Sequence, residues 1–144
     1  MDSLVPTWDE WFEDVWDALV AKVVGISDFG ASKVFYGKKF PPTTFPAAFI
    51  QPTSADSSPV TMRETQWAPT FRIYIVVEKT DPKEGTLTAW KLAGKVIDAL
   101  EADRTLSNTL HNLECGPVMD SPERLGFGIE QHWVSVDIRC MRKL

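Results

Sequence analysis

Two histidines and two cysteines are the side chains of this sequence best suited to act as bases, nucleophiles or metal ligands. His111 lies four residues before Cys115, and His132 and Cys140 share the closing segment. A thiol nucleophile needs an adjacent base that a third group holds in place, and there is no Gly-x-Ser-x-Gly elbow for a serine nucleophile. A Cys–His enzyme is therefore the minor interpretation. The alternation of the last strand instead predicts that Cys140 is a small core residue.

The same four side chains could in number satisfy a tetrahedral zinc site, but they are scattered and form no short paired motif. Neither a Gly-x-x-x-x-Gly-Lys-Ser/Thr loop nor a Gly-x-Gly-x-x-Gly loop is present to hold phosphates. With only two cysteines, the chain has no disulfide framework and suits a reducing compartment. The sequence therefore predicts no enzyme, and no catalytic, cofactor-binding or metal-binding residue.

Composition and charge restrict the class of protein further. The 144 residues suit one domain over the whole chain, with 44% hydrophobic and 24% charged residues. A formal charge of −5 argues against a general nucleic-acid binder, yet an acidic wall could let DNA pass without binding it. No apolar run is long enough to span a membrane, and the first residues show no secretory signal.

The first helix is predicted over Trp8–Val24. Thr7 and Glu10 fit a capping box, and Gly25 is expected to end the helix. Its apolar residues recur at helical spacing: Trp8, Trp11, Phe12, Val15, Leu19 and Val23. Its acidic residues are predicted to form a solvated face, the alternative being a surface that faces a partner or a channel: Asp9, Glu10, Glu13, Asp14 and Asp17.

Five further segments are predicted strands, because they alternate or are bounded by turn formers: residues 33–36, 47–51, 62–78, 113–119 and 132–142. The third is either one strand or a strand pair hinged at Pro69. Four segments are predicted loops or turns: residues 38–42, 52–59, 81–85 and 122–128. A second helix, capped by Thr86, is predicted over residues 87–102.

This order of elements predicts an α+β fold. Strands that follow one another through short loops pair antiparallel, so the sheet should be mostly antiparallel. Two amphipathic helices can pack on one face of such a sheet.

Six tryptophans are a surplus for a domain of this size. Trp8, Trp11 and Trp16 occupy three directions around the first helix, and Trp67 and Trp90 lie on other elements. We expect one or two of these rings to be exposed and to mark an association site, unless the sheet covers them all.

The middle of the chain resembles a known family. The segment AWKLAGKVIDALEADRTL, residues 89–106, is similar to the helix of phage tail terminator and tail-completion proteins, with its Ala-Leu-x-x-Asp-x-x-Leu pattern. In that family the helix follows a strand of the Phe-x-Ile-x-Ile-x-Val type, which corresponds here to residues 71–77. The segment around Pro46-Ala47 resembles the family's Pro-Ala strand, and the closing alternating strand also fits.

The resemblance implies a structural virion protein of long-tailed phages. Such a mixed α/β subunit would form a hexameric ring that caps the tail tube, joins it to the head connector and neck proteins, and lets DNA pass through. Its place would be the tail or neck of the virion, and the host cytoplasm during assembly. Two alternatives stay open: another neck or head–tail joining protein, and a non-viral monomeric adaptor domain.

Within such a ring, the first helix and the long strand are the predicted contacts between subunits. Six residues are assigned to this contact: Trp8, Trp11, Met62, Arg63, Trp67 and Phe71. The polar loop is predicted to project and to contact the tube or the connector, the alternative being a plain mobile hairpin tip. Five residues are assigned to this contact: Thr53, Ser54, Asp56, Ser57 and Ser58.

Overall fold

The computed structural model describes residues 7–37, 45–120 and 131–144. Two helices are present in these ranges, α1 (Trp8–Val24) and α2 (Pro82–Glu101). A short 3-10 turn, Ala31–Lys33, precedes the first strand. The strands are β1 (Val34–Tyr36), β2 (Ala47–Pro59), β3 (Thr65–Glu78), β4 (Asn112–Asp120) and β5 (Gln131–Lys143). The predicted turns at 38–42 and 122–128 lie wholly outside the described residues.

The strands form a single five-stranded sheet in the order β1-β2-β3-β5-β4. Only β1 and β2 pair parallel, and the other three pairs are antiparallel. In the centre, Ile73 pairs with Ile50 on one side and with Val136 on the other. The prediction of an α+β fold with a mostly antiparallel sheet is confirmed.

Both helices pack on the same face of this sheet. The period of two in β3 directs Phe71, Ile73 and Ile75 toward the helices, and all three are fully buried. The helices meet them with one apolar row each: Trp11, Val15, Leu19 and Val23 from α1, and Ala89, Leu92, Val96 and Leu100 from α2. Truncating one of these buried Ile or Leu side chains to Ala costs about 2–5 kcal/mol, so this layer is the main source of stability.

The opposite face of the sheet carries a smaller aromatic cluster. Phe49 and Trp133 stack with ring centroids 5.9 Å apart, and Tyr74 meets Trp133 edge-on at 6.4 Å. Further along this face Arg72 donates to Asp137 at 2.7 Å. The alternation predicted for the closing strand, with Trp133 and Asp137 opposite the core row, is therefore confirmed.

The predicted bounds of α1 are confirmed, but its predicted cap is wrong. Thr7 occupies the N-cap position in an extended conformation, and its side chain makes no capping hydrogen bond. Only its carbonyl takes part, accepting from the amide of Trp11 at 2.9 Å. Asp9 and Glu10 still place negative charge at the positive end of the helix. Gly25 ends the helix as predicted, with right-handed backbone angles.

The second helix begins earlier than predicted. The segment 81–85 is not a loop, because Asp81 is the N-cap and accepts from the amide of Lys83 at 3.2 Å. Pro82 occupies the first helical position, where its missing N–H costs nothing and its fixed φ suits the helix. Thr86 is therefore an internal residue of α2 and not its cap.

The predicted loop at 52–59 is also wrong, because it forms the outer half of β2. After an irregularity between Pro52 and Ser54, the strand pairs with β3 up to Pro59 opposite Thr65. The side chains of this segment are mostly polar, so they form no apolar row that would indicate a strand. Its backbone is nevertheless paired with that of β3. Pro69 does not hinge β3 either: it lies opposite Ala55, and the pairing of β3 with β5 skips the position where proline offers no N–H.

A close approach between α2 and β5 gives a test of this packing. Gly85 lies against the ring of His132, whose Nε2 is 3.1 Å from the carbonyl oxygen of Lys79. A Cβ at position 85 would overlap that ring, so Gly85→Ala should lower the free energy of unfolding by about 1–3 kcal/mol. Inside a helix Ala is otherwise favoured over Gly by about 0.8–1.0 kcal/mol, so in a His132→Ala background the same change should stabilise. Urea unfolding of the four proteins measures both effects, and equal effects in the two backgrounds would contradict the steric explanation.

Candidate interaction surface

The cysteines and histidines show no arrangement for catalysis. Cys140 has no exposed surface, and burial raises the pKa of its thiol to about 12. Burial also raises the pKa of Cys115, so neither thiol is held as the reactive thiolate. The two imidazoles contact backbone atoms, His111 at the amide of Lys143 and His132 at Lys79. Across 7–37, 45–120 and 131–144, no three His, Cys, Asp or Glu side chains come together as metal ligands.

The exposed side of α1 carries two neighbouring rows of side chains with complementary character. Trp8, Phe12 and Trp16 recur every four residues and so lie one above another. Asp9, Glu13 and Asp17 form the adjacent row with the same spacing. With Tyr36 from β1 they line a surface cavity of about 490 Å³. We call it the acidic–aromatic groove, formed by Trp8, Asp9, Phe12, Glu13, Trp16, Asp17 and Tyr36.

Ring stacking and one hydrogen bond hold the floor of the groove in place. Phe12 stacks on the buried Phe71 with ring centroids 5.4 Å apart. Trp16 meets Tyr36 edge-on at 5.4 Å, and its Nε1 donates to the carbonyl oxygen of Ile50 at 3.0 Å. The rings of Phe12 and Trp16 remain half-buried. The groove thus presents aromatic faces in fixed orientations.

Tyr36 and Asp17 close one end of the groove. The phenol donates to the carboxylate of Asp17 at 2.7 Å, and Tyr36 is still 54% exposed. This hydrogen bond, with a smaller contribution from burial, raises the pKa of Tyr36 to about 12. Because the folded pKa is raised, the stabilisation is fully present below the unfolded pKa of 10.0 and is lost as the pH rises through about 12.

The titration of Tyr36 tests this contact. Asp17→Ala removes the acceptor, so the pKa of Tyr36 should fall from about 12 toward 10.0. The absorbance of tyrosinate during a pH titration measures it, and a Tyr36→Phe protein identifies which step belongs to Tyr36. An unchanged step in Asp17→Ala would show that the carboxylate does not bind the phenol in solution.

A second feature, the hairpin arm, consists of residues 53–66: the outer half of β2, the turn 60–64 and the start of β3. At its base Trp67 stacks on Trp8, with ring centroids 4.3 Å apart and planes 27° apart. Residues 53–64 are all exposed. Thr53 adds a side-chain bond to the carbonyl oxygen of Thr70 at 3.1 Å. The arm is therefore an ordered, paired structure with little surface of its own to bury.

The turn 60–64, here named the arm tip, is organised by Thr61. Its Oγ1 accepts from the amides of Arg63 at 3.2 Å and Glu64 at 3.1 Å. The amide of Val60 donates to the carbonyl oxygen of Glu64 at 2.9 Å, which closes the turn. Met62 is 104% exposed, so its whole side chain points into solvent. A fixed backbone thus presents an apolar and a cationic side chain next to each other.

The six predicted subunit contacts fall into two groups. Trp11 and Phe71 have no exposed surface, and the indole of Trp11 donates to the carbonyl oxygen of Thr109 at 2.7 Å. Both belong to the core and offer nothing to a neighbouring subunit. Trp8 and Trp67 are half-buried at the base of the arm, and Met62 and Arg63 are exposed at its tip.

The five residues predicted for the tube or connector contact are all exposed: Thr53, Ser54, Asp56, Ser57 and Ser58. They lie on a strand and not on the loop that the sequence suggested. Trp16 was among the tryptophans expected at the surface but was not assigned to the contact, and Phe12 and Tyr36 were not identified as surface residues. The four-residue spacing of Trp8, Phe12 and Trp16 was the available signal.

A separate apolar patch lies on α2. Leu87 is 48% exposed and Trp90 is 41% exposed. Together with Pro82, Lys83 and Thr86 they line an open cavity of about 550 Å³. The expectation that some tryptophans remain exposed is confirmed for Trp90. Neither described helix has the length and apolar character to cross a membrane.

Comparison with solved structures identifies a protein of similar fold. The fold is similar to a chain in the solved virion of a native gene transfer agent particle, with a TM-score of 0.51 and 18% sequence identity. The similarity covers 93% of this chain and 92% of that chain. At this identity the likeness is one of fold. No family model matches the sequence, and no curated protein matches it.

Proposed function

We propose that this chain is a structural virion protein that assembles into a ring, caps the end of a phage tail tube and joins the tail to the head connector. The observation that carries the proposal is the fold shared with a chain of a virion particle over almost the full length of both. The sequence resemblance to tail terminator proteins, based on residues 71–77 and 89–106, supports the more specific role.

The surface of the subunit suits assembly. A fully exposed Met62 on an ordered turn has no stabilising role inside one subunit. The arm and the acidic–aromatic groove are different patches of the same chain, so each copy can bind one neighbour through its arm and another through its groove, which is a head-to-tail arrangement. Such contacts close into a ring when the rotation between subunits allows it. A hexamer is the ring size that the resemblance implies.

Charge suits a ring through which DNA passes. The net charge of −5 and the row of carboxylates on α1 would repel phosphates, so that DNA slides past without sequence-specific binding.

In this proposal the exposed polar strand of the arm contacts the tail tube or a neck protein through Thr53, Ser54, Asp56, Ser57 and Ser58. The protein acts in the tail or neck, after assembly in the host cytoplasm, and has no enzymatic role.

The fold likeness to a virion chain applies equally to another neck or head–tail joining protein. The two roles differ in the particle component that the ring binds. A monomeric adaptor domain of similar fold is the alternative outside the virion, and it differs in staying a single chain.

The mass of the purified protein tests the proposal. Light scattering over a concentration series should approach six times the chain mass of 16.2 kDa. Electron microscopy of purified tail tubes mixed with the protein should then show rings at tube ends. A mass of one chain at every concentration, together with bare tube ends, would favour the adaptor.

The tube contact has its own test. Asp56→Arg with Ser58→Arg places two cations on the exposed strand, far from the core, so folding should be unaffected. We expect loss of tube-end binding at unchanged ring mass. The matched control is Asp98→Arg with Thr86→Arg at exposed positions of α2, which makes the same change in charge and should leave tube binding intact. Full binding by the arm variant would remove the arm from the tube contact.

A further inference from the structure

We propose that the arm tip of one copy docks into the acidic–aromatic groove of the next copy, with Met62 on the aromatic row and Arg63 among the carboxylates. This inference rests on the proposed ring and names the contact that closes it. The occupant of the groove is thus a second copy of this chain.

The groove contains two kinds of side chain that a partner could cover: partly exposed aromatic rings and carboxylates without a cation among the described residues. Its aromatic row is half-buried, so part of the surface of Trp8, Phe12 and Trp16 remains in contact with solvent. Of its carboxylates, Asp17 binds Tyr36, whereas Asp9 and Glu13 are exposed and pair with no cation in the described parts of the chain. A ligand that combined an apolar group with a cation would satisfy both kinds.

The arm tip offers that combination. Met62 is fully exposed, and Arg63 forms no ion pair with any carboxylate among the described residues. Because Thr61 already fixes the turn, docking would order little further backbone. An unbranched thioether adapts to an uneven aromatic surface and contacts ring edges favourably.

The chemistry of the two surfaces matches group by group. A guanidinium stacks over the faces of Trp and Tyr rings and at the same time binds carboxylates through a planar fork of N–H donors. In the groove the aromatic row and the acidic row are adjacent along α1, so one arginine can reach both. Methionine and arginine are also enriched at protein interfaces relative to the rest of the surface.

The arm does not reach the groove of its own subunit. Trp67 at the arm base stacks on Trp8 at the end of the groove, and the chain then continues away through Thr65 to the tip. Met62 is completely exposed and Arg63 pairs with no carboxylate among the described residues, so neither side chain occupies the groove of its own subunit. The contact must therefore be with another copy, and each copy gives one tip and receives one.

Charge reversal across the contact is the experiment. Arg63→Glu places a like charge beside Glu13, and Glu13→Arg places a cation beside Arg63. Each variant alone should raise the apparent dissociation constant of the ring by about tenfold or more, since like charges replace an attraction at a partly desolvated site. Both sites are exposed, so circular dichroism should show unchanged folding.

Mixing the two variants provides the sharper readout. In a ring of alternating Arg63→Glu and Glu13→Arg subunits, every junction joins opposite charges again. The mixture should recover the ring mass that neither variant reaches alone. A rise in mass on mixing cannot come from a purely structural effect of either substitution.

Three controls accompany this mixing experiment. Glu10→Arg makes the same charge change on α1 outside the groove, and Lys83→Glu makes the reverse change on α2; neither should alter the mass. Glu64→Gln removes the one carboxylate on the arm tip, which the groove would repel, and should tighten assembly.

The outcomes separate this inference from the proposed function. If the wild-type ring forms and Arg63→Glu leaves its dissociation constant unchanged, the groove holds some other partner and the docking is overturned, while the ring stands. If both single variants weaken the ring but the mixture does not restore it, the two sites do not touch and the docking is again overturned. If the wild-type chain has the mass of one subunit throughout and leaves tube ends bare, the ring itself fails.

Discussion

The pairing of β3 on both of its edges is the constraint on which the rest of this structure depends. Residues 71–77 supply the apolar row under the helices, and residues 65–70 continue the same strand into the arm. Because the strand is unbroken at Pro69, the direction of the arm is fixed by the core sheet. β5 supports it from the other edge, where Thr65 and Leu144 exchange backbone hydrogen bonds at 2.9 and 2.8 Å. The arm thus continues the pairing of the core sheet, which directs its tip.

Two rows of side chains on the first helix face different surroundings. The rows are offset by one residue and therefore by about 100° around the helix axis. The row Trp11, Val15, Leu19 is fully buried, and the neighbouring row Trp8, Phe12, Trp16 is only half covered by the sheet. The second row is held by aromatic contacts with residues of β3 and by the indole bond to Ile50. Aromatic pairs of this kind add about 0.5–1.5 kcal/mol beyond their buried area. The contacts beneath the half-exposed row therefore hold its rings in place.

The sequence predicted those elements whose apolar periodicity arises from burial. α1 has its predicted bounds, and the alternation of β5 identified both faces of the sheet. The wrong predictions concern segments that are held by backbone pairing or capping and not by burial of apolar side chains. The polar half of β2 has no apolar row, and the first turn of α2 contains Pro82 and Gly85, which resemble loop residues in composition. The sequence predicted six residues for the contact between subunits. Four of them lie at the surface or half-buried at its edge: Met62, Arg63, Trp8 and Trp67. The other two, Trp11 and Phe71, are core residues. Two adjacent apolar rows on one helix cannot be ranked without knowing where the sheet lies.

The division of charge on α1 connects the proposed contact with the proposed passage of DNA. Arg63 of a neighbour would offset one negative charge of the groove row, whereas Glu10 and Asp14 lie outside the groove and would keep their charge. After assembly α1 would still carry a net negative charge, and the ring would remain acidic as a whole. The same arrangement makes the contact partly electrostatic, so higher salt should weaken ring formation more than it weakens the apolar core of each subunit. Head-to-tail docking through the arm also sets the rotation between neighbours, and a ring forms in place of a filament only where that rotation closes the circle.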